Sequence, residues 1–352
     1  MRILVGVQGT GNGHLSRCAA LAEALAKQPD ISVDYLVSGR TKEQFFDMDV
    51  FGQWQWRQGL TFAVERGKVQ GFETLRRNDW QQFWQDVRKL DLSSYDLVVS
   101  DYEPITAWAG RFQRKRVIGL GRQYAFYQPT PSLPITAMQR QLIRWFAPAD
   151  EVVGMHWFDD GSHLLPPIIH QRAVAETIEP DRYLVYLPFE SLTEIHRLLL
   201  HFPQLRFDVY HPQAECQQIG HIRYSSPTRI GFAQSLASAV GVISNAGFET
   251  ASEALALGKK LLVKPLAGQF EQLANARCLA HYGFAQQMDT LDAKTVSRWL
   301  AMASGVPQPW PDVATAVANW LKNGATMPVR QLSSQLWQRM EEDNYRDYLR
   351  CY

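Results

Sequence analysis

The sequence predicts an α/β protein built from two parallel-sheet domains. Three features carry that expectation. Short apolar runs alternate with helical periodicity almost throughout, the rhythm lapses once near the middle, and each half sets a turn of small residues between a strand and the following helix. A chain of 352 residues also exceeds the roughly 250–300 residues that one hydrophobic core usually supports.

In the first half, 3–7 is an apolar run ending in glycines, and 15–27 carries helical periodicity. Residues 33–37 read as a second strand, 80–90 as a helix, 97–100 as a buried strand, 105–113 as a helix and 117–120 as another strand. Strands separated by helices of this length pair in parallel through right-handed crossovers. Near Leu164, Leu165, Pro166, Pro167 and Ile168 the pattern lapses until about 180. It restarts with strands at 183–187, 207–210, 240–244 and 261–263, separated by helices at 192–201, 232–237 and 249–257 and followed by one at 272–282. Apolar-periodic helices continue from 293 onward. Two Rossmann-like domains are therefore expected, over 1–168 and 181–328.

Composition narrows the function classes. With 46% hydrophobic and 20% charged residues and a formal charge of +1, the chain lacks the basic excess of a polyanion binder, so no nucleic acid partner is expected. Cys18, Cys216, Cys278 and Cys351 show neither CxxC nor zinc spacing and read as reduced thiols. No signal-like segment precedes the first strand, and no apolar run reaches the ~18–20 residues of a membrane span. A cytoplasmic location is the expectation, with the inner membrane face as a docking option. That option rests on 104–149, which holds no acidic residue but contains Arg111, Arg114, Lys115, Arg116, Arg122, Arg140 and Arg144 among aromatic residues.

The first motif, Gly9-Thr10-Gly11-Asn12-Gly13-His14, joins strand one to helix one. Glycines let backbone N–H groups approach a ligand closely, and the helix N-terminus favours phosphate. The spacing is not the G-x-G-x-x-G of dinucleotide sites, strand two ends in Ser38-Gly39-Arg40 rather than an acid, and no P-loop lysine follows. His14, on the first turn of the helix, is the candidate base, and Asp101, ending the strand at 97–100, is its candidate orienting carboxylate. Asp101 as a plain cap of the helix near Pro104 is the competing reading, and Glu103 offers a second carboxylate in the same turn.

The second motif is Asn245-Ala246-Gly247-Phe248-Glu249-Thr250-Ala251-Ser252-Glu253, again between a strand and a helix. Amides near Gly247 and Phe248 and the hydroxyls of Thr250 and Ser252 suit a diphosphate, while Glu253 suits ribose hydroxyls. Glu271 and Gln272, opening the next helix, suit sugar hydroxyls.

From Ser244 to Ala276 the sequence resembles the donor signature of UDP-sugar transferases, among them the peptidoglycan lipid-intermediate N-acetylglucosaminyltransferase and the UDP-glycosyltransferases. The resemblance implies a GT-B glycosyltransferase with two domains facing across a cleft and a closing helix over 329–352 that returns to the first domain. It assigns the donor to Gly11, Asn12 and Gly13 of the first loop and to Asn245 onward in the second, with the diphosphate on Ala246, Gly247, Phe248, Glu249 and Thr250, the ribose on Glu253 and the sugar on Glu271 with Gln272, and it makes His14 the base. Across both domains, the glycine loop, Asp101-Tyr102-Glu103-Pro104 and Leu165-Pro166-Pro167-Ile168-Ile169 are similar to a bacterial and archaeal family of transferases. Asn245 stands where many relatives carry histidine, and Glu271 where they carry aspartate. The implied reaction transfers sugar from a UDP-sugar to an acceptor hydroxyl with inversion. The acceptor is unidentified, with an anionic or lipid-linked one suggested by 104–149. Neither cofactor nor metal is expected, since Asp47-Met48-Asp49 lies far from the donor motif and His156, His163 and His170 lack ligand spacing. A UDP-sugar epimerase or hydrolase and a non-catalytic sugar-nucleotide binder remain the competing readings.

Overall fold

The computed structural model describes residues 1–61, 64–65, 68–69, 76, 78–130, 132–170 and 177–350. By contact the chain divides into two units, Met1–Phe62 with Phe72–Gln171 and Pro309–Tyr352, and Ala63–Gly71 with Arg172–Gln308.

The first half runs β1 (Arg2–Gln8), α1 (Asn12–Ala26), β2 (Ser32–Ser38), β3 (Trp54–Trp56), a short hairpin of β4 (Val64–Glu65) and β5 (Lys68–Val69), then α2 (Trp80–Lys89), β6 (Leu97–Asp101), α3 (Pro104–Gln113), β7 (Val117–Leu120), α4 (Ala137–Phe146) and β8 (Glu151–Val153). The sheet order β3-β2-β1-β6-β7-β8 is parallel throughout, with the order reversing between β1 and β6. This is the doubly wound arrangement, and ligands bind such sheets at the carboxyl ends of the strands flanking the reversal. The central strands are buried on both faces, which is why they read as continuous apolar runs. Leu4, Leu36, Phe83, Val87, Val98 and Ile105 join the sheet to α2 and α3 in one core. Gly6 lets α3 close onto β1, since a Cβ there would lie 2.0 Å from Thr106 Oγ1.

The second unit runs β9 (Glu179–Tyr186), α5 (Leu192–Leu199), β10 (Arg206–Tyr210), β11 (Gln217–Ile219), β12 (Ile222–Ser225), α6 (Arg229–Ser238), β13 (Ala239–Asn245), α7 (Phe248–Ala256), β14 (Lys260–Lys264), α8 (Phe270–His281), β15 (Gln286–Gln287) and α9 (Ala293–Leu300). Its order is β11-β12-β10-β9-β13-β14-β15, parallel except for the β11–β12 edge hairpin, and it reverses between β9 and β13. Val185, Ile195, Phe207, Ile243, Leu262 and Trp299 centre its core.

After Gln308 the chain returns to the first unit through α10 (Val313–Lys322) and α11 (Val329–Arg350). The sequence puts that return at 329, whereas by contact it begins at Pro309, because Trp310 Nε1 donates to Trp157 O (3.3 Å) and Gln28 Nε2 beneath α1 donates to Asn319 Oδ1 (3.1 Å). Trp337 Nε1 then donates to Leu164 O at 2.7 Å. No helix among the described residues is long and apolar enough to cross a membrane.

His156 is a structural residue of the first unit. It is fully buried, its Nδ1 accepts from Trp157 N (2.7 Å), and its Nε2 lies 2.8 Å from Ser132 Oγ, which donates to Asp160 (2.5 Å). Burial, reinforced by Arg122, pushes its pKa down to about 2. The unfolded chain therefore takes up a proton near pH 6.5 that the folded chain refuses until about pH 2. Stability should fall on acidification across that window, by up to about 1.4 kcal/mol per pH unit. Urea titrations of wild type and His156→Gln between pH 7 and 4 check this, with a shallower pH slope expected for the variant.

Candidate active site

The reversal in the first sheet brings His14 and Asp101 together. Val7 on β1 is in register with Asp101 on β6, and α1 starts where β1 ends, so the first turn of α1 overhangs the end of β6. His14 Nδ1 lies 2.5 Å from Asp101 Oδ1. Asp101 is fully buried, and Arg17 grips both of its oxygens, Nε to Oδ2 and Nη2 to Oδ1, each at 2.7 Å. Cys18 Sγ donates to Oδ2 at 3.0 Å. Burial raises the carboxyl pKa, but the Arg17 guanidinium and then His14 outweigh it and hold the group well below the usual carboxylate range. An ionised Asp101 accepts the Nδ1 proton, which leaves the ring lone pair on His14 Nε2. Gln123 Nε2 sits 3.3 Å from that atom, and the His14 side chain is 14% exposed, enough to meet a substrate.

The helix near Pro104 has a different cap from the one the sequence offered as an alternative. Glu103, not Asp101, caps α3. Its carboxylate accepts from Ile105 N (3.0 Å), Thr106 N (2.7 Å), Thr106 Oγ1 (2.8 Å) and Ser38 Oγ (2.7 Å). With both oxygens committed, Glu103 is not available as a second orienting group for His14.

Gly11 is the N-cap of α1 with no side chain closing the helix end, and a Cβ there would meet nothing within 4 Å. The protein's own packing does not require glycine at this position. Asn12 Oδ1 is held by Arg40 Nη1 (3.0 Å), and Gly13 follows it in the first turn of α1.

The second unit repeats the device at its own reversal. Asn245 ends β13, Ala246 and Gly247 form the turn, and Phe248, Glu249 and Thr250 make the first turn of α7. Gly247 is again an N-cap without a side-chain partner and with open space at its Cβ position. The amide ends of α7 are thus presented to an anion. Asn275 Nδ2 on α8 donates to Ala246 O (3.1 Å), which ties the Glu271–Gln272 segment to this turn. Gln272 Oε1 accepts from Leu266 N (3.0 Å), fixing the amide plane. Glu249, Glu253, Glu271 and Gln272 are buried, and Ser244 Oγ and Asn245 Oδ1 are buried without a hydrogen-bond partner. The donor residues predicted from sequence are divided between the units: Asn245 to Gln272 lie on the second, whereas Gly11, Asn12 and Gly13 lie on the first with the His14–Asp101 pair.

Residues 1–303 match the profile of glycosyl transferase family 1. The chain belongs to that family. It is accordingly a glycosyltransferase, and solved structures share its fold. The glycosyltransferase SnogD from Streptomyces nogalater aligns with a TM-score of 0.52 at 16% identity, over 97% of this chain and 98% of its own. LpCGTa in complex with UDP gives 0.57 at 13% identity, over 96% and 99%. S. aureus MnaA with UDP gives 0.59 at 10% identity, over 92% and 96%. No curated protein matches the sequence significantly.

Sequence reasoning missed three partners in this glycosyltransferase. Arg17 was legible as the i+3 neighbour of His14 on one helix face. Glu190 and Lys264 were not, because 74 positions separate them. Lys264 Nζ lies 2.7 Å from Glu190 Oε1, and Asn245 Nδ2 bridges Glu190 (3.4 Å) and Lys264 O (2.9 Å), so a buried ion pair underlies the second turn. Asp47 and Asp49 are exposed, and Asp49 opens a short 3₁₀ turn. Among the described residues no three His, Cys, Asp or Glu side chains cluster to hold a metal ion.

Proposed function

We propose that this glycosyltransferase moves a hexosyl group from a UDP-sugar to an acceptor hydroxyl with inversion, without a metal, using His14 as general base. The observation that carries the reading is the 2.5 Å contact between His14 Nδ1 and a buried, arginine-clamped Asp101. In that arrangement His14 Nε2 takes the hydroxyl proton while the acceptor oxygen bonds to the anomeric carbon. The bond from that carbon to the diphosphate oxygen breaks on the opposite face, and UDP leaves with the electron pair. Asp101 stabilises the imidazolium as it forms.

The donor half of the reading rests on the open glycine-capped end of α7, which suits the diphosphate through Ala246, Gly247, Phe248, Glu249 and Thr250, with Asn245 beside them. Glu253 is assigned to ribose, and Glu271 with Gln272 to the sugar. LpCGTa and MnaA are named as UDP complexes and the glycosyltransferase VinC as a dTDP complex, which supports a pyrimidine nucleoside diphosphate.

A thermal-shift screen against UDP, dTDP, ADP, their sugars and NADP, with and without EDTA, tests it. UDP at about a hundred times its Kd should add roughly 2.7 kcal/mol to stability. Stabilisation by NADP alone, or by no nucleotide, would remove the donor assignment, and loss of the UDP shift in EDTA would remove metal independence.

A further inference from the structure

The face of the first unit formed by α4 and the end of α3 has the build of a lipid-contact surface. Within α4, Met138, Leu142 and Trp145 fall at i, i+4 and i+7, on one side of the helix. They are 73%, 57% and 40% exposed, while Ile143 on the other side is fully buried. Phe112, at the end of α3, is 55% exposed. A chain of rings links the two elements, with centroids of Trp145 and Trp108 6.2 Å apart, Trp108 and Phe112 5.7 Å, and Phe112 and Trp84 5.9 Å. The exposed apolar residues therefore form one continuous patch, which a soluble surface seldom leaves without a use.

The charges around it are sorted by the fold. Three cations of 104–149 are occupied elsewhere. Arg122 is buried and donates to Met155 O (2.6 Å), Lys115 Nζ donates to Tyr95 O (2.8 Å), and Arg116 binds Glu151 and the carbonyls of Gly324 and Ala325. Arg111 and Arg114 are exposed beside Phe112, whereas Arg140 and Arg144 lie on the inward side of α4, where Arg144 is anchored on Tyr127 O (2.6 Å). Of the acids bordering this segment in sequence, Glu103 caps α3, Asp150 accepts from Val117 N (2.8 Å), Glu151 pairs with Arg116, and exposed Asp91 accepts from Ser93 N (2.8 Å). An apolar stripe of Met, Leu and Trp continuous with Phe112, which stands between exposed Arg111 and Arg114, matches the interface of an anionic bilayer. We infer that this glycosyltransferase docks on anionic membranes through the α4 face, with Met138, Leu142, Trp145 and Phe112 in the headgroup region and Arg111 and Arg114 on lipid phosphates.

Sedimentation of the full chain with vesicles tests this, using phosphatidylcholine alone and phosphatidylcholine with one-third phosphatidylglycerol. Wild type should pellet with the anionic vesicles and much less with the neutral ones. Met138→Ser with Leu142→Ser should weaken that binding about tenfold or more, and Arg111→Gln with Arg114→Asn by about an order of magnitude. Both pairs are surface changes, and asparagine tolerates the left-handed backbone at Arg114, so melting temperatures should stay unchanged. Lys115→Gln should leave vesicle binding intact. Equal binding to both vesicle types, equal binding by the variants, or a wild-type dimer that Met138→Ser with Leu142→Ser dissolves without any lipid binding would each overturn the inference.

Discussion

Replacing His14 with alanine is expected to lower kcat by about 10²–10⁴ while leaving the UDP-induced thermal shift unchanged. The range follows from removing a positioned general base. The unchanged shift follows because the residues assigned to the diphosphate and ribose of UDP lie on the other unit. Added imidazole should restore part of the rate to His14→Gly, a recovery that a merely structural histidine would not allow. Asp101 stays ionised across the working pH range, since Arg17 and His14 hold its pKa down against burial. Its contribution to stability is therefore present at neutral pH and lost only in strong acid, so loss of rate near neutrality does not come from its titration. Full activity in His14→Ala would end the base assignment, and a lost UDP shift would mean that His14 touches the donor instead.

Lys264→Met should cost the second unit about 3–5 kcal/mol, the usual penalty for leaving a buried charge without its partner. The Lys264 and Glu190 side chains are 9% and 5% exposed, so water cannot replace the missing ion. Glu190→Leu alone should cost a similar amount, whereas Lys264→Met with Glu190→Leu should regain most of the loss, because no charge is then stranded. Urea unfolding of the four proteins checks this. Additive losses in the double variant would show that the two groups are not coupled.

The strands flanking both reversals were legible from their apolar runs, and both glycine turns from composition, because these signals are local. Helix α4 is obscured in the sequence by Pro134 and Pro148 on either side, and its one local signal is the capping box of Thr136 and Gln139. The β11–β12 hairpin has an exposed outer strand with no apolar alternation to read. Glu103 and Asp101 were interchangeable as caps on paper, and only the path of the chain around Tyr102, with its positive φ of 52°, sends one carboxylate to the helix and the other to His14. The Lys264–Glu190 pair depends on β9 and β14 flanking β13, a pairing that no local window contains.

The late return of the chain to its first unit bears on how the protein is made. The second unit is complete, apart from the 63–71 excursion, once residue 308 has left the ribosome. The first unit then still lacks the segment that covers the far side of α1, where Asn319 meets Gln28 and Lys322 meets Asp30 at 3.3 Å. Nascent chains should therefore gain a protease-resistant second unit before the first, the reverse of their order in sequence. A chain stalled before Pro309 would leave α1 bare and invite chaperones, and one released after α10 would no longer need them.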